Sequence, residues 1–315
     1  TIELTFVNYL SAASNFSVYA STNSQYITIN SSAYNAGAIA VYDTFSNQSN
    51  KIVFTVGTNV PPNSVVDFVL TYVDGDKMDY QWISATVNPS YATQAGNKIA
   101  LTITSKGTLG FNDYYTNLQG DGFRYDNGPN LLFEGSFMYG TSASKVVDGA
   151  RGNTGTTQNN EFEVVQPFII SVPGDVADQQ GSSLFNDNLA ASNKVGITTQ
   201  LSSYSFVEDG DQKYIILRYR MLNTTSQNLY NLYAGLFFDW DLIEATGNDD
   251  FTAWDAEGSL AYLHNVGSTI STYVGSALIS SNNYGYWGIL NPGGDGGFVH
   301  PVRLEDDLVR GGVGV

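Results

Sequence analysis

The stretch from Asn228 to Asp241, NLYNLYAGLFFDWD, constrains this chain most. Its large side chains recur with period two, the pattern of a strand and not of a helix. Successive side chains on a strand point to opposite faces. Leu232, Ala234, Leu236, Phe238 and Trp240 therefore share one face, and Asn231, Tyr233, Gly235, Phe237, Asp239 and Asp241 share the other. Two carboxylates flank Trp240 and emerge together at the strand's end, just before the acidic loop Asn248-Asp249-Asp250. An ion site, a ligand site and a solvated strand end are all open at this point.

Composition extends the strand reading to the whole chain. Tyr occurs 21 times and Gly 32 times while charged residues make up only 14%, a balance that suits strands joined by tight turns. Long runs of Glu, Lys, Ala and Leu, the mark of helical proteins, are missing. The 315 residues leave room for two domains, at roughly 100–200 residues each. With no cysteine, a disulfide framework and a thiol nucleophile are both excluded. The net charge of −17, with no basic cluster, argues against nucleic acid, whose phosphates need grouped Lys and Arg. The same surface favours calcium over anionic partners. No apolar run approaches the roughly 20 residues of a membrane-spanning helix. Thr1-Ile2-Glu3-Leu4-Thr5-Phe6 already reads as a strand and not as a signal peptide, so a processed product or a fragment is expected.

The first ninety residues alternate short strands and turns. Ile52, Phe54 and Val56 share a face; after Pro61-Pro62-Asn63, so do Val66, Phe68, Leu70 and Tyr72. Asp74-Gly75-Asp76 reads as a hairpin turn, and the return strand carries Met78, Tyr80 and Trp82 on one face. Strands and turns at this spacing predict a small β-sandwich ending near Val87-Asn88-Pro89. A second period-two run, Lys98 to Thr104, opens a larger unit. It continues through a loop-rich stretch from Gly107 to Asn130, of the kind that is functional or organised by its own packing. From Glu161 the strands lengthen, and Phe162, Val164, Phe168 and Ile170 lead into Ser171-Val172-Pro173-Gly174. Val195–Val207, Lys213–Asn223 and Asn228–Asp241 follow as a consecutive meander, with Arg218 and Arg220 opposite Leu217, Tyr219 and Met221. Further strands are expected over Ala261–Tyr273 and Ser276–Leu290, and a short helix around Leu304–Arg310. The expectation is an all-β chain of two β-sandwich domains: a small immunoglobulin-like sandwich over 1–90, and a larger one with long loops over 91–315.

Several chemistries can be weighed against this frame. Gly140-Thr141-Ser142-Ala143-Ser144 resembles the surroundings of a serine nucleophile. However, the chain has only two histidines, His264 and His300, and a triad needs nucleophile, base and acid in contact. Two histidines and no cysteine are too few for an ordinary zinc site. Calcium, which takes hard oxygen ligands, is the cofactor expected if there is one, at Asp239, Asp241, Asp249 and Asp250. A weaker candidate runs from Asn112-Asp113 to Asp121 and Asp126. Asp239 and Asp241 stand about 6.5–7 Å apart along a strand, a separation open to glycoside hydrolysis, though two acids on one strand rarely straddle a sugar. Trp82, Trp240, Trp254 and Trp287 are either packing residues or a platform for stacking sugars.

A set of motifs in the larger unit carries a resemblance. The set includes Gly107-Thr108-Leu109-Gly110-Phe111-Asn112-Asp113, Gly120-Asp121-Gly122-Phe123-Arg124-Tyr125, Asn130 through Ser142, Asp178-Gln179-Gln180-Gly181 and Tyr230 through Asp241. Together they resemble the non-catalytic C-terminal β-rich region of secreted bacterial subtilisin-like serine peptidases, of the Bacteroidota kind exported by type IX secretion. Val69-Leu70-Thr71-Tyr72-Val73-Asp74-Gly75 is similar to the small sandwich preceding that region. The resemblance implies an extracellular or cell-surface chain that is not itself an enzyme and that spaces, anchors or docks a partner. Its catalytic domain would lie upstream, and its larger domain would be incomplete at the C-terminal end. Two other roles compete. One is an extracellular assembly joined by strand pairing, with Thr1–Leu10 as a donated strand; the other is a glycan-binding module.

Overall fold

The computed structural model describes residues 1–152, 157–242, 250–265, 272–280, 284–286 and 288. The chain is nearly all β, with strands packed in layers of the sandwich type. It divides into two compact units, Thr1–Pro89 and Ser90–Val315.

The first unit contains β1 (Thr5–Val7), β2 (Ala13–Ser21), β3 (Ile27–Ser31), β4 (Ala33–Ile39), β5 (Thr44–Ser46), β6 (Val53–Val56), β7 (Ser64–Asp74) and β8 (Lys77–Val87). A four-stranded sheet, ordered β4-β2-β7-β8, is joined by two ribbons, β1-β5 and β3-β6. Alternation decides what is buried. Val18 and Ala20 of β2 and Val66, Phe68 and Leu70 of β7 point inward, where Ile2, Ile52 and Phe54 meet them. Within Thr1–Leu10, named as a candidate strand to donate, Thr5–Val7 pair with β5 and Ile2 bridges Ile52 inside this core, while Tyr9 and Leu10 are exposed.

The β7–β8 hairpin runs in unbroken register from Ser64↔Val87 to Asp74↔Lys77. Its loop is therefore Gly75-Asp76, one residue later than the Asp-Gly pair suggested. Gly75 has φ +60° and Asp76 does not share the positive φ, which fits a type II′ turn with glycine first.

The second unit contains β9 (Tyr91–Gln94), β10 (Ile99–Thr104), β11 (Thr108–Leu109), β12 (Phe123–Tyr125), β13 (Leu132–Ser142), β14 (Lys145–Asp148), β15 (Glu163–Ser171), β16 (Gln179–Asn186), β17 (Ile197–Ser205), β18 (Ile216–Asn223), β19 (Tyr233–Trp240), β20 (Asp250–Asp255), β21 (Leu260–Asn265) and β22 (Tyr273–Ala277). One sheet is ordered β12-β10-β11-β13-β14, with β19 also on β13 and β9 on β10; a second is β15-β16-β17-β18. Their inner faces share one core. Leu101, Ile103, Leu132, Phe137 and Val147 come from the first sheet, and Phe168, Phe185, Ile197 and Leu201 from the second. Tyr219 closes the gap by stacking on Phe137 at 4.2 Å between ring centroids.

One expectation is corrected here. The meander breaks after β18: β19 leaves its predecessor's sheet and pairs with β13 over eight residue pairs, from Leu132↔Trp240 to Gly140↔Tyr233. This crossover brings Leu236, Phe238 and Trp240 onto the common core. On β15 Phe168 is buried while Val164 and Val165 are exposed, and the pairing with β16 shifts register between Val164 and Gln166 and between Gln166 and Ile169, as bulges on an edge strand do. A third sheet, β20-β21-β22, packs through Val274 and Leu263 on Leu131 and Leu242. The helix expected at Leu304–Arg310 lies outside the described residues.

Candidate functional site

The two carboxylates that close the Asn228–Asp241 pattern have different fates. Because β19 pairs with β13, Asp239 is opposite Glu134, and both face Arg151. Arg151 Nε donates to Glu134 Oε2 at 2.5 Å, its backbone N–H donates to Glu134 Oε1 at 2.6 Å, and its Nη2 donates to Asp239. The rings of Tyr114, Phe133 and Phe237 surround the guanidinium at 5.5, 5.5 and 6.0 Å, close enough for cation–π attraction. Burial pushes the Glu134 carboxyl above the usual carboxylate range, against the pull of Arg151. Burial would lower Arg151, but Asp239 and Glu134 hold it above its ordinary value. The cluster is an aromatic-lined ion network, one guanidinium shared by two carboxylates, that ties β13 to β19.

Asp241 lies past the strand end, its N–H donating to the Leu131 carbonyl at 3.0 Å. Asp250 is the first residue of β20 and not part of a loop. Its Oδ2 accepts from the Leu242 N–H at 3.1 Å and its Oδ1 from Asn265 Nδ2 at 3.3 Å. Asp249 lies outside the described residues. Among the described residues no three acidic or histidine side chains converge as an ion site.

The loop from Gly107 to Asn130 is organised by its own side chains. Asp113 accepts from Thr116 Oγ1, Leu118 N and Gln119 N at 2.6, 3.1 and 2.7 Å. Asn130 Oδ1 accepts from Phe123 N and Leu132 N at 2.8 and 3.1 Å. Asp121 accepts from Thr93 Oγ1 at 2.7 Å. Ser142 closes the β13–β14 hairpin opposite Lys145, its Oγ 3.2 Å from that of Ser144. His264 lies mid-strand in β21, stacked on Tyr273. His300 is outside the described residues.

The tryptophans separate by environment. Trp240 stacks on Phe238 at 4.9 Å and meets Phe123 edge-on, and Trp254 stacks on Tyr286 at 5.6 Å. Trp287 lies outside the described residues. Trp82 differs: it is 69% exposed, beside Tyr80 at 58% and Met78 at 59%. The reason is the β7 register. Phe68 and Val66 face the core opposite Ile83 and Ala85, so the even-numbered side chains of β8 must point out. Val65, 68% exposed, belongs to the same outer face. An open groove of about 590 Å³ adjoins Trp82, lined on one side by Val65, Asp67 and Val69 and on the other by the loop from Thr22 to Tyr26. Single exposed apolar side chains need no explanation; here Met78, Tyr80, Trp82 and Val65 adjoin on one face of the sheet.

No protein-family model, curated protein or solved structure matches the chain.

Proposed function

We propose that this chain is a non-catalytic binding and spacing region of a secreted or cell-surface protein, of the kind that accompanies subtilisin-like peptidases, and that its first unit docks a partner through the outer face of β8. The observation that carries this reading is the row Met78, Tyr80 and Trp82, held in water by a register that core packing on β7 enforces. A β-sandwich gains nothing in stability from leaving three such side chains exposed, since burying each is worth about 1.5–3 kcal/mol. The second unit has its own shared core and the Arg151 network, and its loop from Gly107 to Asn130 is tied down by internal hydrogen bonds.

The test is sedimentation with cell envelopes of the organism that makes the chain. The unaltered chain is expected to pellet, and a Met78→Ser, Tyr80→Ser, Trp82→Ser variant to remain in solution. Equal sedimentation of the two would refute docking through this face.

A second reading draws on one further feature. β8 is the outermost strand of its sheet, eleven residues long and free of bulges. Such an edge can template pairing with another chain. Strand-paired assembly requires a concentration-dependent mass above that of one chain, which sedimentation velocity reads directly.

A further inference from the structure

We infer that the groove beside Trp82 binds neutral carbohydrate, a hexopyranose chain lying across the indole; this rests on the docking role proposed above and names its ligand. The groove is half apolar and half polar, and the two halves are arranged differently. The apolar part comes from β7 and β8: Trp82 and Val65 are exposed, and Val69, opposite Trp82, is half-buried. Trp82 makes no ring contact with any described aromatic residue, so its face is open.

The polar part adjoins these side chains. Asn23 and Gln25 are exposed on the 22–26 loop, and their side chains make no hydrogen bond among the described residues. Ser21 pairs with Val69 through its backbone, and its hydroxyl has no partner among the described residues. Amide side chains offer both donors and acceptors, which suits ring hydroxyls that do the same. Asp67 holds Ser84 Oγ at 2.6 Å through one carboxylate oxygen, and its other oxygen is an acceptor with no described partner. Thr22 Oγ1 donates to the Asp67 carbonyl at 2.7 Å, which fixes the loop against β7 and keeps the groove open.

Charge narrows the ligand further. The groove contains a carboxylate and no cation, within a chain of net charge −17. Anionic glycans, phosphates and acidic peptides are disfavoured there. A lysine or arginine side chain would find only one carboxylate. A pyranose has an apolar face of C–H groups for the indole and a hydroxyl rim for Asn23, Gln25, Ser21 and Asp67.

The experiment is a glycan array probed with the labelled full chain, followed by calorimetry on the neutral oligosaccharides that respond. Trp82→Ala and the pair Asn23→Ala, Gln25→Ala are compared with Leu118→Ser, which removes an exposed leucine from the second unit. Binding to neutral glycans is expected, weakened about tenfold or more by Trp82→Ala, as for an aromatic anchor at the centre of a contact, and unchanged in Leu118→Ser. These positions are exposed, so the variants should fold; thermal melts check that they do. Responses confined to acidic glycans, or neutral binding indifferent to Trp82, overturn the inference. Periodate oxidation of the envelopes separates it from the docking role. If sedimentation still depends on Met78, Tyr80 and Trp82 after oxidation and no glycan binds, the face docks a protein and the carbohydrate assignment is wrong. If sedimentation never depended on those residues, the docking role itself is wrong.

Discussion

Replacing Arg151 by methionine removes one charge from between two carboxylates and leaves the stem packed among Tyr114, Phe133 and Phe237. In the native chain the Arg151 side chain is only 10% exposed and that of Glu134 3%, while Asp239 keeps 33%. Glu134 would therefore stay buried without its partner. Breaking a buried pair from one side costs about 3–5 kcal/mol, and loss of the cation–π contacts is contained in that range. For a unit of this size about 4 kcal/mol corresponds to a melting temperature lower by about 8–16 °C. Urea unfolding followed by tryptophan fluorescence suits the measurement, because Trp240 is packed on Phe238 and reports the second unit.

The pH dependence sharpens this prediction. Burial already raises Glu134 in the folded chain, and Arg151 is what opposes the rise; without Arg151 the folded carboxyl moves higher still. A carboxyl raised on folding contributes stability that is present below its unfolded pKa and lost as pH rises through its folded pKa. The gap between variant and native chain should therefore narrow as pH falls from neutral through the raised Glu134 value towards the ordinary carboxylate range. Glu134→Gln in the Arg151→Met background should recover part of the loss, with a coupling of about 1–3 kcal/mol. A cost under 1 kcal/mol, or a gap that does not change with pH, would refute the reasoning.

Other outcomes follow from single contacts. Asp187 is buried and accepts from the N–H groups of Val195, Gly196 and Ile197 at 2.7, 2.7 and 3.2 Å. Asp187→Ala should cost about 3 kcal/mol by orphaning buried donors, read as a lower urea midpoint. Gly122 has φ +72°, and a Cβ there would fall 1.7 Å from Asn130 Oδ1. Gly122→Ala should cost about 2 kcal/mol or more and raise hydrogen exchange over Phe123–Tyr125. The calcium site expected at Asp239, Asp241, Asp249 and Asp250 is read by melting the full chain in millimolar calcium and in chelator: a higher melting temperature in calcium supports the site, and an unchanged melt counts against it.

Local periodicity was legible because it depends only on neighbours along a strand. Val66, Phe68 and Leu70 could be assigned to one face from their spacing, and so could Leu236, Phe238 and Trp240. What periodicity cannot state is which face lies inside. β8 carries Met78, Tyr80 and Trp82 on one face and Ile83, Ala85 and Val87 on the other, and only the pairing with β7 decides between them. The β19 crossover was hidden for a related reason: a strand's sheet depends on which partner it best completes, and its neighbour in sequence does not fix that. Arg151 carried no sequence signal, since it stands 88 residues from Asp239. The acids were visible as a cluster, but their counter-charge becomes visible only once β13 and β19 are paired.

The docking role of the first unit is tested most directly by a hydrogen–deuterium exchange footprint of the unaltered full chain, free and bound to cell envelopes. Slowed exchange is expected over Lys77–Val87 and the loop from Thr22 to Tyr26, with the second unit unchanged. Protection confined to the second unit, with β8 exchanging as fast as in the free chain, would contradict the account.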